Sequence, residues 1–451
     1  MRVTLSAVAV LGLLSAQVLA KKNATSSASD NGFLEIDWIK QHLGARGGYP
    51  SDSVPQTDPI VKKYHVDQMQ VIIRHGTRYP EDGDTEGIND ALALLAKSKN
   101  ATLTGWVADY DNKFLPRRAG ALDRNGQMEH YLHGQRLAKS YPDLIESIID
   151  EDVVQFTAYS SWSNRTSQSG QAFCMGTFEG YGALGKKNML AVPQLSYTQN
   201  NDSLIAFHKS CPRWQEEVDD AGLVDAAIEP LKKAYMAPIA ARLTKDLGIN
   251  ITASDVKDMH SACGSEVTMH NNAKTFCLLF TKDDFLKMEY YDDLKHYYKY
   301  SYGIPDINTE MACDLAKNVM NNIELAVSNT TEDYPRLDLK FGHTETLLPF
   351  RTFLGLRKDN ETLHWNSTQQ VIDNRKFKMS EFNFFANNIA FQVLSPKNKN
   401  KNSTDKFVRV LDNEVAIVFP GCDSEICPIE QFRKALNPLL TCDFNKLCAA
   451  Y

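Results

Sequence analysis

The sequence, which has 451 residues, predicts an α/β fold on three observations. The segment Val66–Ile73 alternates at its start and then becomes continuously apolar with β-branched residues, as a strand does when it enters the middle of a sheet. A second strand-like run, Leu337–Leu339, follows far downstream. Between these runs, apolar residues recur at helical spacing in Leu223–Leu247, Thr281–Tyr300 and Thr309–Ser328. Separate strands with helices between them are typical of α/β proteins.

The first strand leads directly into a polar motif, Arg-His-Gly-Thr-Arg-Tyr-Pro, at residues 74–80. Ligands of open α/β sheets collect at the carboxyl ends of strands, so His75 should face a ligand and not the core. Gly76 permits a tight turn there. Arg74 and Arg78 can bracket a phosphate with planar, permanently charged groups. The motif therefore predicts a phosphate-transfer site.

Chance does not explain this motif, because its five specified residues would recur by accident in about one such chain in ten thousand. The pattern Arg-His-Gly-x-Arg-x-Pro at a strand end resembles the signature of the histidine phosphatases. The segment is most similar to their acid phosphatase and phytase branch.

A second motif, Lys340–Pro349, follows the strand-like run Leu337–Leu339 and contains His343 and Glu345. A His followed two residues later by Glu resembles the His-Ala-Glu form of the multiple inositol polyphosphate phosphatases. Here Thr344 replaces the usual Ala, which keeps the acid in place and adds a hydroxyl to the expected site.

A third segment, Tyr159–Phe173, resembles the strand-to-helix element that supplies another phosphate-binding arginine in this family, and Arg165 is the matching residue. Taken alone, the segment is a serine-rich helix start with an ordinary surface arginine. The resemblance extends over roughly residues 35 to 440 and includes fungal features at 283–303 and at Gly421-Cys422.

Residue types and resemblance together assign the expected chemistry. Positive neighbours should depress the pKa of His75 and keep a ring nitrogen free to attack phosphorus in acid, which makes His75 the predicted nucleophile. Glu345 is the predicted general acid, and it later takes a proton from water. No metal or other cofactor is expected. The predicted phosphate ligands are Arg74, Arg78, Arg165 and, as the resemblance implies, His343.

His75 and His343 must meet, so the sheet domain must be discontinuous in sequence. The resemblance implies a Rossmann-like, doubly wound sheet domain with an inserted, mainly α-helical cap. The predicted divisions are a signal peptide at 1–20, a disordered lead-in at 21–34, the α/β domain at 35–80, 125–205 and 325–445, and the cap at 81–124 and 206–324.

The amino terminus predicts export. Met1-Arg2, an apolar stretch from Val8 to Leu14 and a small residue, Ala20, form a signal peptide that is too short to anchor the protein in a membrane. A secreted or cell-wall protein carrying N-linked glycans is therefore expected, with the sequon at Asn164 silent because it adjoins Arg165. The sequons are Asn23, Asn100, Asn164, Asn201, Asn250, Asn329, Asn360, Asn366 and Asn402.

The nine cysteines indicate disulfides in an oxidising compartment, with one residue unpaired. The resemblance favours Cys263 with Cys277, and short spacing favours Cys422 with Cys427. The partners of the other five cysteines stay open. A metal site at Cys263, His260 and His270 is the rival interpretation, but no Cys-x-x-Cys pair supports it.

A net charge of −7 provides no basic field for nucleic acid. Arg117, Arg118 and Arg124 precede a predicted helix, Gly126–Lys139, and either border the pocket, as the resemblance implies, or form a solvated loop. His130 and His133 on that helix are predicted to be exposed polar residues. Residues 397–406 predict an exposed turn between strands at 389–394 and 407–411.

The leading hypothesis is a secreted hydrolase of inositol polyphosphates, phytate included, and Thr77 and the His-x-Glu form favour it. A broad acid phosphatase that scavenges phosphate is the alternative within the same fold. A phosphomutase does not fit export, because its phosphorylated metabolites are cytosolic. A catalytically inactive surface glycoprotein is the alternative from another class, and the complete set of six site residues argues against it.

Overall fold

The computed structural model describes residues 34–149, 156–304, 306–328, 334–397 and 405–449. The predicted signal peptide, all of the lead-in except Leu34, and the sequons at Asn23, Asn329 and Asn402 lie outside these residues. Within them, no helix is long and apolar enough to span a membrane.

Strands and helices alternate along most of the described chain. The strands are β1 (Tyr64–Arg74), β2 (Phe156–Ser160), β3 (Leu195–Ser196), β4 (Leu337–Gly342), β5 (Asn388–Pro396), β6 (Phe407–Asp412), β7 (Val415–Ile417) and β8 (Cys427–Pro428). The α-helices are α1 (Ile36–Lys40), α2 (Asp82–Leu95), α3 (Ala101–Thr104), α4 (Arg124–Ser140), α5 (Pro142–Ile148), α6 (Asn164–Thr177), α7 (Pro212–Trp214), α8 (Leu223–Leu247), α9 (Ala253–His270), α10 (Lys282–Tyr300), α11 (Ile307–Glu310), α12 (Cys313–Ser328), α13 (Thr344–Phe353), α14 (Gln369–Asn374), α15 (Met379–Phe382), α16 (Ile429–Leu436) and α17 (Phe444–Cys448).

The strands form one mixed sheet in the order β3-β2-β4-β1-β5-β6-β7, with β8 also paired to β6. Strands β3, β2, β4 and β1 run parallel, whereas β5, β6 and β7 continue the sheet antiparallel. The α/β prediction is confirmed, and β1 lies in the middle of the sheet as expected. Strand β6 runs antiparallel to β5 because the connection between them is far too short for a crossover helix.

Helices cover both faces of the sheet, and β1 alternates between them. Val71 and Ile73 pack with α4, α5 and α6 on one face. Ile72 packs on the other face with α12 and α13, and that core continues into α8, α9 and α10. One sheet buried between two helical layers matches the predicted doubly wound arrangement; the domain boundaries themselves remain a prediction.

The two glutamines of β1 face helix α12 and are fully buried. The side chain of Gln68 donates to the backbone oxygen of Asn322 at 2.9 Å, and that of Gln70 donates to the backbone oxygen of Val319 at 3.0 Å. These two side-chain amides bind the helix backbone in place of water. The alternation of polar residues at the start of β1 therefore does not mean that one face of the strand is exposed.

The predicted helices form with small changes. Helix α8 has the predicted bounds, and α10 begins one residue later because Thr281 caps it through a capping box with Asp284. The predicted segment 309–328 divides into α11 and α12. The predicted helix at 126–139 extends by two residues at its start and one at its end to form α4.

Four disulfides form, and Cys174, a buried residue of α6, is the unpaired cysteine. Cys263–Cys277 and Cys422–Cys427 are paired as predicted, so the sulfur of Cys263 is not available to a metal. The two pairs that the sequence left open tie the helical segment to the carboxyl terminus. They are Cys211–Cys448 and Cys313–Cys442.

The prediction that His130 and His133 are exposed is wrong, because both lie on the buried face of α4. The His130 ring contacts Phe341 of β4, and the His133 ring contacts Phe173 of α6. Burial lowers the pKa of His130 to about 3 and that of His133 to about 4, so both are neutral core residues at ordinary pH.

Candidate active site

Three neighbouring parallel strands bring the three sequence motifs together. Strands β2, β4 and β1 pair in that order, so their carboxyl ends meet at one edge of the sheet. The backbone N–H of His75 donates to the carbonyl of Gly342 at 2.9 Å, which continues the β1–β4 pairing by one residue. The rings of His75 and His343 consequently lie 5.4 Å apart.

Two glycines allow the loop after β1 to pack against the start of helix α4. A Cβ on Gly76 would lie 2.4 Å from the backbone oxygen of Gly126, and a Cβ on Gly126 would lie 2.2 Å from that of Thr77. Both distances are impossible for side-chain carbon. Gly76 is therefore required for this close approach, in addition to the turn that the sequence suggested.

Glu129 of α4 anchors the same loop, and sequence analysis did not identify it. Its carboxylate accepts hydrogen bonds from the backbone N–H and hydroxyl of Thr77 at 2.8 and 2.7 Å and from the backbone N–H of Tyr49 at 3.0 Å. Burial raises the pKa of Glu129 even though these hydrogen bonds oppose the shift. In the sequence, Glu129 is only an acidic residue next to His130 in a predicted helix. Nothing in that local pattern indicates that its carboxylate binds the loop after β1.

Backbone carbonyls and a ring hold Arg74 in place. Its Nη1 donates to the carbonyls of Ala45 and Asn383 at 2.8 and 2.9 Å, and its guanidinium lies 4.5 Å above the ring of Phe385. Burial and the neighbouring Arg78 lower the pKa of Arg74 to about 9. The charged form is thus disfavoured in the substrate-free site, and a bound anion would relieve that cost.

Three arginines converge on one cavity with unused donors. Arg78 and Arg165 line the cavity together with Arg74. In each of the three, the Nε atom is buried and has no hydrogen-bond partner among the described residues. Burial also lowers the pKa of Arg78 to about 10, and the charge of Arg165 acts in the same direction. Buried donors usually have acceptors, and the oxygens of a bound anion would serve as acceptors for these three.

The hydrogen bonding of His75 leaves its Nε2 free. Its Nδ1 lies 2.9 Å from the carbonyl oxygen of Gly76, which can only accept, so Nδ1 carries the proton and Nε2 carries the lone pair. Burial, followed by the charges of Arg165 and Arg74, holds the pKa of His75 well below its usual range. This is the direction that sequence analysis expected.

His343 is held by a chain of hydroxyl groups. Its Nε2 lies 2.7 Å from the hydroxyl of Ser161, which in turn lies 3.0 Å from the hydroxyl of Thr166. Burial and the charge of Arg165 hold the pKa of His343 well below its usual range. Ser161 follows β2, so the same parallel pairing fixes the orientation of this imidazole.

Glu345 lies in the first turn of helix α13 and lines the cavity. Burial alone would raise the pKa of its carboxyl, but nearby His208 and His343, its own backbone N–H and Arg74 outweigh burial and hold the pKa well below the usual range. The hydroxyl of Tyr300 lies 3.5 Å from Oε1. In the empty site, Glu345 is therefore a carboxylate.

Thr344, next to Glu345, also lines the cavity and is 6% exposed. Its hydroxyl has no hydrogen-bond partner among the residues that the structure describes. The hydroxyl that distinguishes this motif is therefore available to a ligand.

The cavity has a volume of about 250 Å³, and its wall carries the carboxylates of Asp84 and Asp292 beside further cations that the sequence did not reveal. These cations are Arg46, Lys295 and Lys299. The two lysines stand four residues apart in α10, so a helical projection would have placed them on one face. The alternative candidates do not line the cavity: Arg117 and Arg124 are exposed, and Arg118 stacks over the ring of Tyr79.

Solved structures share this fold. The phytase from D. castellii superposes with a TM-score of 0.73 at 18% identity and covers 95% of this chain and 92% of its own. The Bifidobacterium longum multiple inositol polyphosphate phosphatase in complex with inositol hexasulfate gives a TM-score of 0.67 at 16% identity, over 88% of this chain and 97% of its own.

Sequence relatives point the same way. Multiple inositol polyphosphate phosphatase 1 of Dictyostelium discoideum is 25% identical over 81% of this chain, although the chain spans only 65% of that protein. The thiamine-repressible acid phosphatase pho4 of Schizosaccharomyces pombe is 27% identical over 91% of this chain and 88% of its own length. A model of the histidine phosphatase superfamily, branch 2, matches residues 65–413, and the chain belongs to that family.

Proposed function

We propose that this protein is a phosphomonoesterase that hydrolyses inositol polyphosphates, phytate included, through a phosphohistidine intermediate. One observation carries the proposal. The unpartnered Nε donors of Arg74, Arg78 and Arg165 surround a cavity that also holds the free Nε2 of His75 and the carboxyl of Glu345. Anion ligands, a nucleophile and a proton donor are the parts that phosphoryl transfer requires.

In the first step, the arginines and His343 bind the phosphoryl oxygens, and Nε2 of His75 attacks phosphorus. A P–N bond forms while the bond from phosphorus to the ester oxygen breaks, and Glu345 gives its proton to that departing oxygen. Glu345 must be protonated at this moment. The negative charge of the bound phosphate opposes the cations that lower its pKa in the empty site, so substrate binding itself favours the acid form.

In the second step, water replaces the alcohol. Glu345, now a carboxylate, takes a proton from the water as its oxygen attacks phosphorus, and the P–N bond breaks to restore neutral His75. Orthophosphate then leaves. No atom of the protein is consumed, and the arginines supply the positive charge throughout.

The wall of cations supports a substrate with several phosphates. Lys295 is partly buried and makes no ion pair with any described residue, although burial lowers the pKa of its ammonium. An unpaired, partly desolvated cation facing a cavity favours an additional anion there. The names of relatives from Dictyostelium and chicken, both multiple inositol polyphosphate phosphatases, agree with this substrate class.

A broad acid phosphatase is the second candidate. The Schizosaccharomyces pombe relative that aligns over 88% of its length is named an acid phosphatase. The catalytic groups would be the same in both, so the difference must lie in whether the cationic wall contributes to binding. An inactive glycoprotein is less consistent with a cavity lined by five intact site residues, with the sixth, His343, next to His75.

We also propose that the protein is exported and is either secreted or associated with the cell wall. Four disulfides support an oxidising compartment. Several sequon asparagines are accessible to glycosylation, and Asn164, the first residue of α6, is among them although its neighbour Arg165 lines the cavity. The exposed ones are Asn164, Asn201, Asn250, Asn360 and Asn366.

The phosphohistidine step is tested by acid-quench trapping with ³²P-labelled substrate, followed by peptide mapping. We expect the label on His75, and we expect His75→Ala to lose at least about a thousandfold in kcat because the nucleophile is gone. His65→Ala, at the exposed start of β1, is the matched control and should keep wild-type activity. Label on another residue would refute the assignment.

The lowered pKa of His75 predicts activity in acid. A histidine with the ordinary pKa of about 6.5 would be only about 1% neutral at pH 4.5. Because the neutral form persists above a depressed pKa, we expect kcat for p-nitrophenyl phosphate at saturation to change by less than about fivefold between pH 6 and 4.5. A fall of about twentyfold over this range, which a histidine of ordinary pKa would give, would contradict the lowered pKa of the nucleophile.

Glu345→Gln should slow phytate hydrolysis far more than hydrolysis of p-nitrophenyl phosphate. The nitrophenolate departs without a proton, whereas an inositol hydroxyl needs one, so only the second reaction depends on a general acid. The measurement is single-turnover phosphorylation of the enzyme with each substrate. Equal slowing of both would make Glu345 a binding residue and would leave the acid unidentified.

Lys295→Ala should raise KM for phytate by about tenfold, the value of one charge-assisted hydrogen bond, and leave KM for p-nitrophenyl phosphate unchanged. Lys287→Ala, on the same helix but outside the cavity wall, is the control. If Lys295→Ala weakens neither substrate, the cationic wall does not bind substrate and the broad acid phosphatase becomes the better interpretation.

A further inference from the structure

A carboxylate occupies the space between two of the phosphate-binding arginines. Oε1 of Glu81 lies 3.1 Å from Nη2 of Arg78 and 3.3 Å from Nη2 of Arg165, and Glu81 lines the cavity with them. Its side chain is 47% exposed, so it reaches the arginines from the solvent side. The contact brings an anion of the protein itself to the predicted phosphate site.

The fold does not require the Glu81 side chain to be there. Glu81 is the residue before helix α2, but its carboxylate makes no capping hydrogen bond to that helix. Its second oxygen, Oε2, lies against Gly120, where a Cβ would be 2.6 Å away. The loop after α3 therefore leaves room for the carboxylate beside Arg165, and the arginines are its only described ion-pair partners.

In Arg78 and in Arg165, one edge of the guanidinium group has a partner for only one of its two nitrogens. A guanidinium binds carboxylate or phosphate most strongly through two parallel hydrogen bonds, from Nε and from one Nη. In Arg78 and Arg165, Nη2 contacts Glu81, whereas Nε is buried and unpartnered. In Arg78, the other terminal nitrogen, Nη1, donates to the carbonyl of Tyr79 at 2.8 Å. A phosphate on the Nε–Nη2 edges would contact the same Nη2 atoms as Glu81, and the repulsion between the two anions favours the departure of the carboxylate.

We propose that Glu81 is an internal competitor of phosphate, which is displaced from Arg78 and Arg165 when a phosphoryl group binds and returns when orthophosphate leaves. Glu81 thereby sets the affinity of the site for phosphate. The proposal rests on the proposed function in that the substrate's phosphoryl group occupies this site. The exchange also prevents the arginines from facing each other without a counter-ion in the empty enzyme.

The test compares Glu81→Gln and Glu81→Ala with wild type. Because a half-exposed ion pair contributes up to about 1 kcal/mol, its removal should tighten orthophosphate binding by roughly threefold to fivefold. Isothermal titration calorimetry gives the dissociation constant of orthophosphate, and competitive inhibition of p-nitrophenyl phosphate hydrolysis gives a second value. KM for p-nitrophenyl phosphate should fall in parallel.

Glu86→Gln is the matched control, because it removes the same charge from an exposed position on α2 that does not line the cavity. Orthophosphate binding that is unchanged in the Glu81 variants, or changed no more than in the control, would overturn the proposal. Weaker binding would also overturn it, because Glu81 would then position the arginines and not compete with phosphate.

Calorimetry separates this proposal from the proposed function, since orthophosphate binding needs no turnover. Tighter binding in a protein that hydrolyses neither phytate nor p-nitrophenyl phosphate would support the role of Glu81 and refute the catalytic proposal. Hydrolysis of both substrates, together with an orthophosphate affinity that the Glu81 substitutions do not alter, would support the catalytic proposal and refute the role of Glu81. Thermal unfolding of each variant confirms that the comparison is made between folded proteins.

Discussion

The parallel pairing of β2, β4 and β1 is the constraint on which the rest of the site depends. Parallel strands end at the same edge of a sheet, so one hydrogen-bond register places the residues after all three strands side by side. Arg165 follows β2, His343 follows β4, and His75 follows β1. A shift of register would separate His75 from Gly342 and remove the contact between the two imidazoles.

Concentrating cations at this edge has an electrostatic cost, and acidic residues offset it in two ways. Glu129 is buried and holds the backbone of the loop that carries the arginines, so it supports the geometry whether or not ligand is present. Glu81 is half exposed and contacts the guanidinium groups directly. The lowered pKa values of His75 and Arg74 record the positive charge and burial that remain. That residual charge favours a phosphate dianion.

The proposed function assigns substrate preference and catalysis to different parts of the molecule. The proposed nucleophile and the arginines near it belong to the sheet edge, whereas Lys295 and Lys299 belong to α10, within the helical segment. The disulfides Cys211–Cys448 and Cys313–Cys442 tie that segment to the carboxyl terminus. Under the proposed function, this separation would let Lys295 and Lys299 bind further phosphates of the substrate without altering the groups that perform the reaction.

The sequence by itself determined the central strand and the bounds of α8 through periodicity, and it favoured the pair Cys422–Cys427 through short spacing, because these are local properties of the chain. The resemblance of its motifs to a family supplied the pair Cys263–Cys277 and the proposed roles of Arg165 and His343. The sequence failed for His130 and His133, whose exposure depends on which face of α4 packs against the sheet. Only the tertiary structure placed Glu129 at Thr77, Glu81 at the two arginines and Lys295 in the cavity wall. Each of those contacts joins residues from separate elements, and no local pattern records which elements will meet when the apolar faces of the helices pack on the sheet.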